Sequence, residues 1–268
     1  MTDLIARLRH LPVDTLTALS FFSRLPVEAS AEASDLRRIS GAWPLSGLIL
    51  ALGPALLFWL CGAADLPNLI AALVALATLA ALTGALHEDG LADSVDGFGG
   101  GRDGEAKLAI MRDSRIGTYG VLALVFAIAI KAAALAAIGL RPSHGALALV
   151  CVAVVSRALA LWHWRETPPA RSDGLAWAAG RPDNVALAIG GTIGSAAGLV
   201  LLIAFGSAAL IGLVIAAAGA AFFSRLCLRQ IGGHSGDTIG AAQQIAETLM
   251  LIGLASGWSP IIWAPVGG

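Results

Sequence analysis

Seven of the chain's 18 acidic residues fall between His87 and Gly120. The run His87-Glu88-Asp89-Gly90-Leu91-Ala92-Asp93-Ser94-Val95-Asp96-Gly97 sets Asp89, Asp93 and Asp96 at i, i+4 and i+7. If the segment continues as a helix from the apolar stretch before it, the three carboxylates lie within about 60° of one another on one face. Like charges at that spacing destabilise an isolated helix, and at a membrane edge water screens them less. A bound cation would relieve the repulsion. The donors are all oxygen, with a single imidazole nearby, which favours a hard ion such as Mg²⁺ over zinc. Gly90, Ala92, Ser94 and Gly97 are small and leave room for a ligand. The plain alternative is a solvated acidic loop.

Three further segments add groups suited to phosphate. Met111-Arg112-Asp113-Ser114-Arg115-Ile116-Gly117 brings two guanidinium groups into the same loop, and an arginine fork matches phosphate oxygens in bidentate fashion. Either arginine alone is equally well explained as an anchor on the positive side of a membrane. Ser156-Arg157 lies inside an apolar stretch, where a centrally placed arginine costs roughly 2.5–3.5 kcal/mol and so calls for a partner or a polar cavity. Gly232-Gly233-His234-Ser235-Gly236-Asp237-Thr238-Ile239-Gly240 is a glycine-rich turn carrying hydroxyls and one acid. No GxxxxGK[ST] pattern is present, which excludes a P-loop nucleotide hydrolase.

The elements that must position these groups are membrane spans. With 57% hydrophobic and 13% charged residues and a mean hydropathy of +0.80, the chain lacks the polar shell a soluble fold of 268 residues requires. From Ile39 to Leu86 the one ionisable residue is Asp65, whose Ala-Asp-Leu-Pro-Asn surroundings divide two spans of the length that crosses about 30 Å of hydrocarbon. A third span is expected from Ile116 to Leu140 and a fourth from His144 to Trp164. Val185 to Ser224 is twice the bilayer thickness and must turn back at Gly206-Ser207. Thr248 to Gly268 completes a count of about seven, with a range of six to eight. The expected fold is therefore all-α, a polytopic membrane bundle forming one domain over residues 1–268.

Charge gives an independent check on that topology. With the N-terminus inside, segments 1–40, 88–116, 165–184 and 224–244 hold 5, 4, 3 and 2 Lys plus Arg, 14 of the chain's 17, and the outer loops hold Arg141 alone. That asymmetry follows the positive-inside rule and puts the candidate site on the cytoplasmic face. Asp3, Arg7, Arg9 and Asp14 interrupt any signal-peptide core, so residues 1–40 read as a cytoplasmic interfacial segment opening on an amphipathic helix. Cys61, Cys151 and Cys227 form no CxxC pair and suit neither a disulfide framework nor a thiolate zinc site. A net charge of −1 gives no case for nucleic acid.

Taken in order, these motifs resemble the cobalamin-5′-phosphate synthase family, the adenosylcobinamide-GDP ribazoletransferases. The family's Phe-x-[Thr/Ser]-Arg-Leu-Pro matches Phe21–Pro26, its His-x-Asp-Gly-x-Ala-Asp-x-x-Asp-Gly matches His87–Gly97, and its Met-x-Asp-Ser-Arg-x-Gly matches Met111–Gly117. Its Ser-Arg and Gly-Gly-x-Thr-Gly-Asp-x-[Leu/Ile]-Gly-Ala patterns look like Ser156-Arg157 and Gly232–Ala241. Serine replaces threonine at Ser23 and Ser235, Glu88 stands where an apolar residue is expected, and Gln244 stands where glutamate is expected.

The resemblance implies an enzyme of late cobalamin biosynthesis. A ribose hydroxyl of α-ribazole, or of its 5′-phosphate, would attack adenosylcobinamide-GDP and release GMP. It further implies Mg²⁺, or Mn²⁺, on Asp89, Asp93 and Asp96. Arg24, Arg112, Asp113, Ser114, Arg115, Ser156, Arg157, Ser235 and Asp237 would hold substrate, and His87 or Asp96 would serve as general base. The expected location is the bacterial inner membrane, and the sequence is compatible with a homo-oligomer. A CDP-alcohol phosphotransferase is the nearest alternative, but its motif has arginine where this chain has Asp93. A cation transporter would carry acids within its spans, and the third to sixth spans have none.

Overall fold

A computed structural model describes residues 2–27 and 35–258. Among them no β-strand forms, and an isolated bridge joins Pro169 to His234. Five helices are long and apolar enough to cross a membrane. They are Leu36–Ala63, which ends in α3 (Trp43–Ala63); α7 (Thr118–Ile138); α8 (Pro142–Glu166); α10 (Asn184–Phe205); and α11 (Ser207–Ile231). A sixth arises if α4 (Asn68–Thr83) and α5 (Leu86–Gly100) are taken as one broken span, bent by 89°. The expected breaks appear at Asp65, with φ 56°, and at Gly206, with φ 55°.

The acidic segment departs from a straight continuation of the second span. Gly84 and Ala85, at φ 63° and 56°, both adopt the left-handed conformation and turn the chain through a corner. For alanine that conformation costs on the order of 1 kcal/mol, so surrounding contacts must impose it. At this right-angle turn α5, which carries four carboxylates, leaves the direction of α4.

The helix expected at Thr248–Gly268 begins earlier, as α12 (Gly236–Ala255); residues 259–268 lie outside the described part. Its Gln243, Gln244 and Glu247 are buried, and it packs between α5, α7, α8 and α11.

At the centre stands α8, packed on α3, α10 and α12, with Leu161, Trp164 and Arg157 fully buried. Helix contacts are rich in alanine, such as Ala71, Ala72 and Ala75 on α4 and Ala132 and Ala134 on α7, which lets helices approach closely where lipid supplies no hydrophobic drive. Large apolar side chains such as Leu56, Phe126, Ile203 and Phe222 point outward, as a lipid-facing surface requires. The N-terminal helix α1 (Thr2–Phe22) exposes Ile5, Leu8 and Leu16. Its other face is fastened to the bundle: buried Asp14 accepts from Arg38 of α2 (Leu36–Ile39) at 3.0 Å, and Arg7 pairs with Asp183.

Candidate active site

Two glycines bring α5 and α12 into backbone contact. A Cβ on Gly90 would lie 2.6 Å from the Asp237 carbonyl oxygen, and one on Gly240 would lie 3.3 Å from the His87 Cα. The start of α12 therefore sits directly against the acidic helix. That start is a capping box: Ser235 Oγ accepts from the Thr238 amide at 3.3 Å, and Thr238 Oγ1 accepts from the Ser235 amide at 2.9 Å. Ser235, expected at the substrate, serves here as the cap, and its hydroxyl donates to Asp237 Oδ2 at 3.1 Å. Arg171 pairs with the same oxygen at 2.9 Å.

The carboxylates so gathered disturb one another. Burial, followed by the charges of Asp89, Asp237 and Asp96, pushes half-buried Asp93 up to about 7. Burial also raises Asp237, outweighing Arg171. Asp96 faces elsewhere: its two oxygens accept from the amides of Gly117 at 2.7 Å and Gly120 at 2.8 Å, so it caps α7 and ties α5 to it. Among the described residues no three His, Cys, Asp or Glu side chains close around a common point as they stand. The donor chemistry nevertheless fits a hard divalent cation, because Asp89, Asp93 and Asp237 offer oxygen only and Asp93 carries uncompensated repulsion.

Beside these acids opens a cavity of about 220 Å³. Its polar wall comprises His87, Asp89, Arg157 and Asp237, and its apolar wall includes Phe22, Trp43 and Trp164. Arg157 is 2% exposed; its Nη1 donates to the Ala153 carbonyl at 3.1 Å, while its Nε finds no partner among the described residues. Room for it comes from Gly47, where a Cβ would lie 2.7 Å from Arg157 Cδ. His87 stacks on Phe22 at 5.5 Å. Burial, then Arg157 and Lys131, hold His87 well below its ordinary value, so the imidazole is neutral. Ser156 stays out of the cavity wall and accepts from Gln243 Nε2 at 3.0 Å. A second cavity, of about 200 Å³, also reaches Asp237 and is lined by Arg171, Asp173, His234 and Ser235.

The arginine loop is not drawn into the first cavity. Arg112 pairs with Asp173, at the rim of the second cavity. Exposed Arg115 pairs with Asp113, whose carboxyl its neighbour holds down at about 2, and Ser114 is exposed beside them. Arg24 is exposed and packs against the Gly84 corner, its amide donating to the Leu82 carbonyl at 2.7 Å.

Sequence reasoning left unassigned Arg171, the aromatic wall and a buried polar network. In that network Lys131 donates to Gln244 at 2.7 Å and to Glu247 at 3.2 Å, while Gln243 donates to Glu247 at 2.6 Å. A lysine inside an apolar span is the same signal that drew attention to Arg157, and it pointed to this cluster.

The family model for cobalamin-5-phosphate synthase matches residues 14–255. A Rhizobium etli protein named adenosylcobinamide-GDP ribazoletransferase is 44% identical over 257 residues, covering 93% of this chain and 99% of its own. Proteins of the same name from Sinorhizobium medicae and Bradyrhizobium diazoefficiens are each 44% identical, over 90% and 91% of this chain and 95% and 94% of theirs. No solved structure matches.

Proposed function

We propose, from the premise that the chain belongs to the cobalamin-5-phosphate synthase family, that it is a membrane-embedded transferase joining adenosylcobinamide-GDP to α-ribazole or its 5′-phosphate. A ribose hydroxyl oxygen bonds to the phosphorus on the cobinamide side of the pyrophosphate. The bond from that phosphorus to the bridging oxygen breaks, and GMP leaves with the oxygen. The hydroxyl proton passes to a base.

The observation that carries this reading is Asp237, shared by two cavities and pressed against the Asp89 and Asp93 helix. Two substrates held in the two cavities would meet at one acidic centre. Asp89, Asp93 and Asp237 are the residues that would hold Mg²⁺ or Mn²⁺, with Asp96 positioning their helix. When bound, such an ion neutralises charge on the phosphoryl oxygens. Arg157, buried on the cavity wall, offers a fixed cation to a phosphate oxygen. His87, on the cavity wall beside Asp89, is the base this reading assigns. Arg171, on the wall of the second cavity, and Arg112, paired with its Asp173, suit the GDP end of the donor.

The reading places the protein in a bacterial inner membrane with the site on the cytoplasmic face. Support comes from the 14 of 17 Lys and Arg on that side of the topology. Purified protein in detergent should release GMP from adenosylcobinamide-GDP only when α-ribazole or its phosphate is present and Mg²⁺ is supplied. GMP release that ignores the ribazole, or none under any of these conditions, overturns the proposal.

A further inference from the structure

Asp237 lines both cavities, and its ion-pair partner among the described residues is Arg171. Arg171 Nη2 donates to Asp237 Oδ2 at 2.9 Å, with the two side chains 17% and 27% exposed. Backbone contacts deliver this pair. Ala170 donates its amide to the His234 carbonyl and His234 donates its amide to the Pro168 carbonyl, each at 2.8 Å. Gly233 permits the approach, because a Cβ there would collide with the Pro168 carbonyl oxygen. The chain just before Arg171 is thus clamped to the chain just before Asp237. Past Arg171 the restraint ends: Ser172 and Asp173 are exposed, and a Cβ on Gly174 would meet nothing within 4 Å. Asp237 itself is held by its backbone, which packs against Gly90 of α5. Among the described residues no three acids close around a common point, so seating an ion on Asp89, Asp93 and Asp237 requires a side chain to turn.

Resting on the transferase reading above, we infer that Arg171 is the exchangeable counter-ion of Asp237. It neutralises Asp237 while the acidic centre holds no divalent cation, gives the carboxylate up when the cation binds, and turns its charge to the diphosphate of the donor in the second cavity. Electrostatics sets the direction of the exchange. A divalent cation among the carboxylates offers Asp237 twice the charge of a guanidinium and repels a guanidinium held on the same oxygen. Ser235, the other side chain that donates to Oδ2, is neutral and fixed in the capping box, so it has no such reason to leave. Arg171 stands on the wall of the second cavity, where its planar fork matches two phosphate oxygens. Cation and donor therefore favour each other's binding, each by drawing one partner out of the same ion pair.

The test is a double-mutant cycle on the full-length protein in detergent, without nucleotide. Mn²⁺ binding, read from the paramagnetic resonance signal of the free ion, is measured for wild type, Arg171→Gln, Asp237→Asn and the double variant. Arg171→Gln should bind Mn²⁺ about fivefold to tenfold more tightly than wild type, because the ion no longer has to break an ion pair. In the Asp237→Asn background the same substitution should change the affinity less than about twofold. The KM for adenosylcobinamide-GDP should move the other way, rising about tenfold in Arg171→Gln, whereas a damaged fold would weaken both. Weaker or unchanged Mn²⁺ binding in Arg171→Gln overturns the exchange and makes Arg171 a fixed support of Asp237. Equal tightening in both backgrounds also overturns it, since repulsion through space needs no ion pair. An unchanged donor KM overturns the turn toward the diphosphate. Failure of Mn²⁺ to bind any of the four proteins overturns the metal assignment and the inference with it. The transferase reading is judged separately, failing only if wild type shows no ribazole-dependent GMP release.

Discussion

Gln244 on α12 donates its Nε2 to Glu88 Oε1 on α5 at 3.1 Å, so two of the four positions at which this chain departs from the pattern it resembles touch each other. The same Gln244 presents Oε1 to Lys131 at 2.7 Å, and Glu88 lies 3.9 Å from that ammonium. The carboxylate expected at position 244 of α12 is thus carried here by α5, and Lys131 has it as a second negative neighbour beside Glu247. Glu88→Leu should cost about 1–3 kcal/mol by leaving one N–H of the buried Gln244 amide unmatched and removing one of the two carboxylates beside Lys131. Adding Gln244→Glu should return most of that loss. Thermal unfolding in detergent checks this, and a double variant no more stable than Glu88→Leu alone removes the idea of exchanged charge.

Topology can be tested at positions the structure shows to be exposed. In a cysteine-free background, single cysteines at Arg102, Asp173 and Arg229 should resist a membrane-impermeant thiol reagent in intact cells, and one at Arg141 should react. Reaction at Arg102 or Asp173 would put the acidic centre on the outer face, against the proposed location.

The spans were legible because hydrocarbon thickness fixes a length and few side chains satisfy it, so Asp65 and Gly206 marked turns without any tertiary information. The acidic face was legible from the spacing of Asp89 and Asp93. Hidden from the sequence was the corner at Ala85, since nothing in an alanine announces a left-handed conformation that neighbouring helices impose. Hidden for the same reason were the partners of Asp96. A carboxylate at i+7 on the acidic face reads as a third ligand, and nothing in the spacing announces that it accepts from the amides of Gly117 and Gly120 at the start of α7. Arg112 and Arg115 read as phosphate ligands by residue type alone, and their pairing with Asp173 and Asp113 is set by loop conformation.

Arg157 and Arg112 should separate cleanly in kinetics. Arg157→Lys removes the planar fork from a buried position, and kcat should fall about 10²–10³-fold, the cost of one preorganised donor to a developing charge. Arg112→Lys, half exposed at the second cavity, should act mainly on the KM for adenosylcobinamide-GDP, by less than about tenfold. Equal losses in kcat from both would place Arg112 at the reacting phosphorus.

The raised Asp93 couples stability to pH. Its folded value of about 7 lies above the ordinary 3.8, so the folded protein holds a proton that the unfolded chain releases. The stabilisation is complete below about pH 3.8 and is lost as pH rises through 7. Metal-free protein should therefore unfold at a lower temperature at pH 8 than at pH 6. Added Mg²⁺ should raise the unfolding temperature more at pH 8, where no proton competes for the carboxylate. A Mg²⁺ shift that is the same at both pH values excludes Asp93 as a ligand.

The sharpest division between a catalytic cluster and a solvated acidic loop lies between Asp93 and Asp103. Asp93→Asn keeps the size and removes the charge, and the loss of like-charge repulsion with Asp89 and Asp237 should leave the fold at least as stable. If Asp93 helps hold the ion, turnover should nonetheless fall about a thousandfold, equivalent to roughly 4 kcal/mol of transition-state stabilisation. Asp103 belongs to the same loop and caps α6 (Gly104–Met111), its Oδ1 accepting from the Ala106 amide at 2.9 Å. Asparagine caps a helix about as well as aspartate, so Asp103→Asn should change neither stability nor turnover appreciably. Steady-state GMP release, with unfolding temperatures measured on the same preparations, decides the matter. Mild and equal effects on turnover from the two substitutions would remove the metal assignment and leave the carboxylates as surface charge.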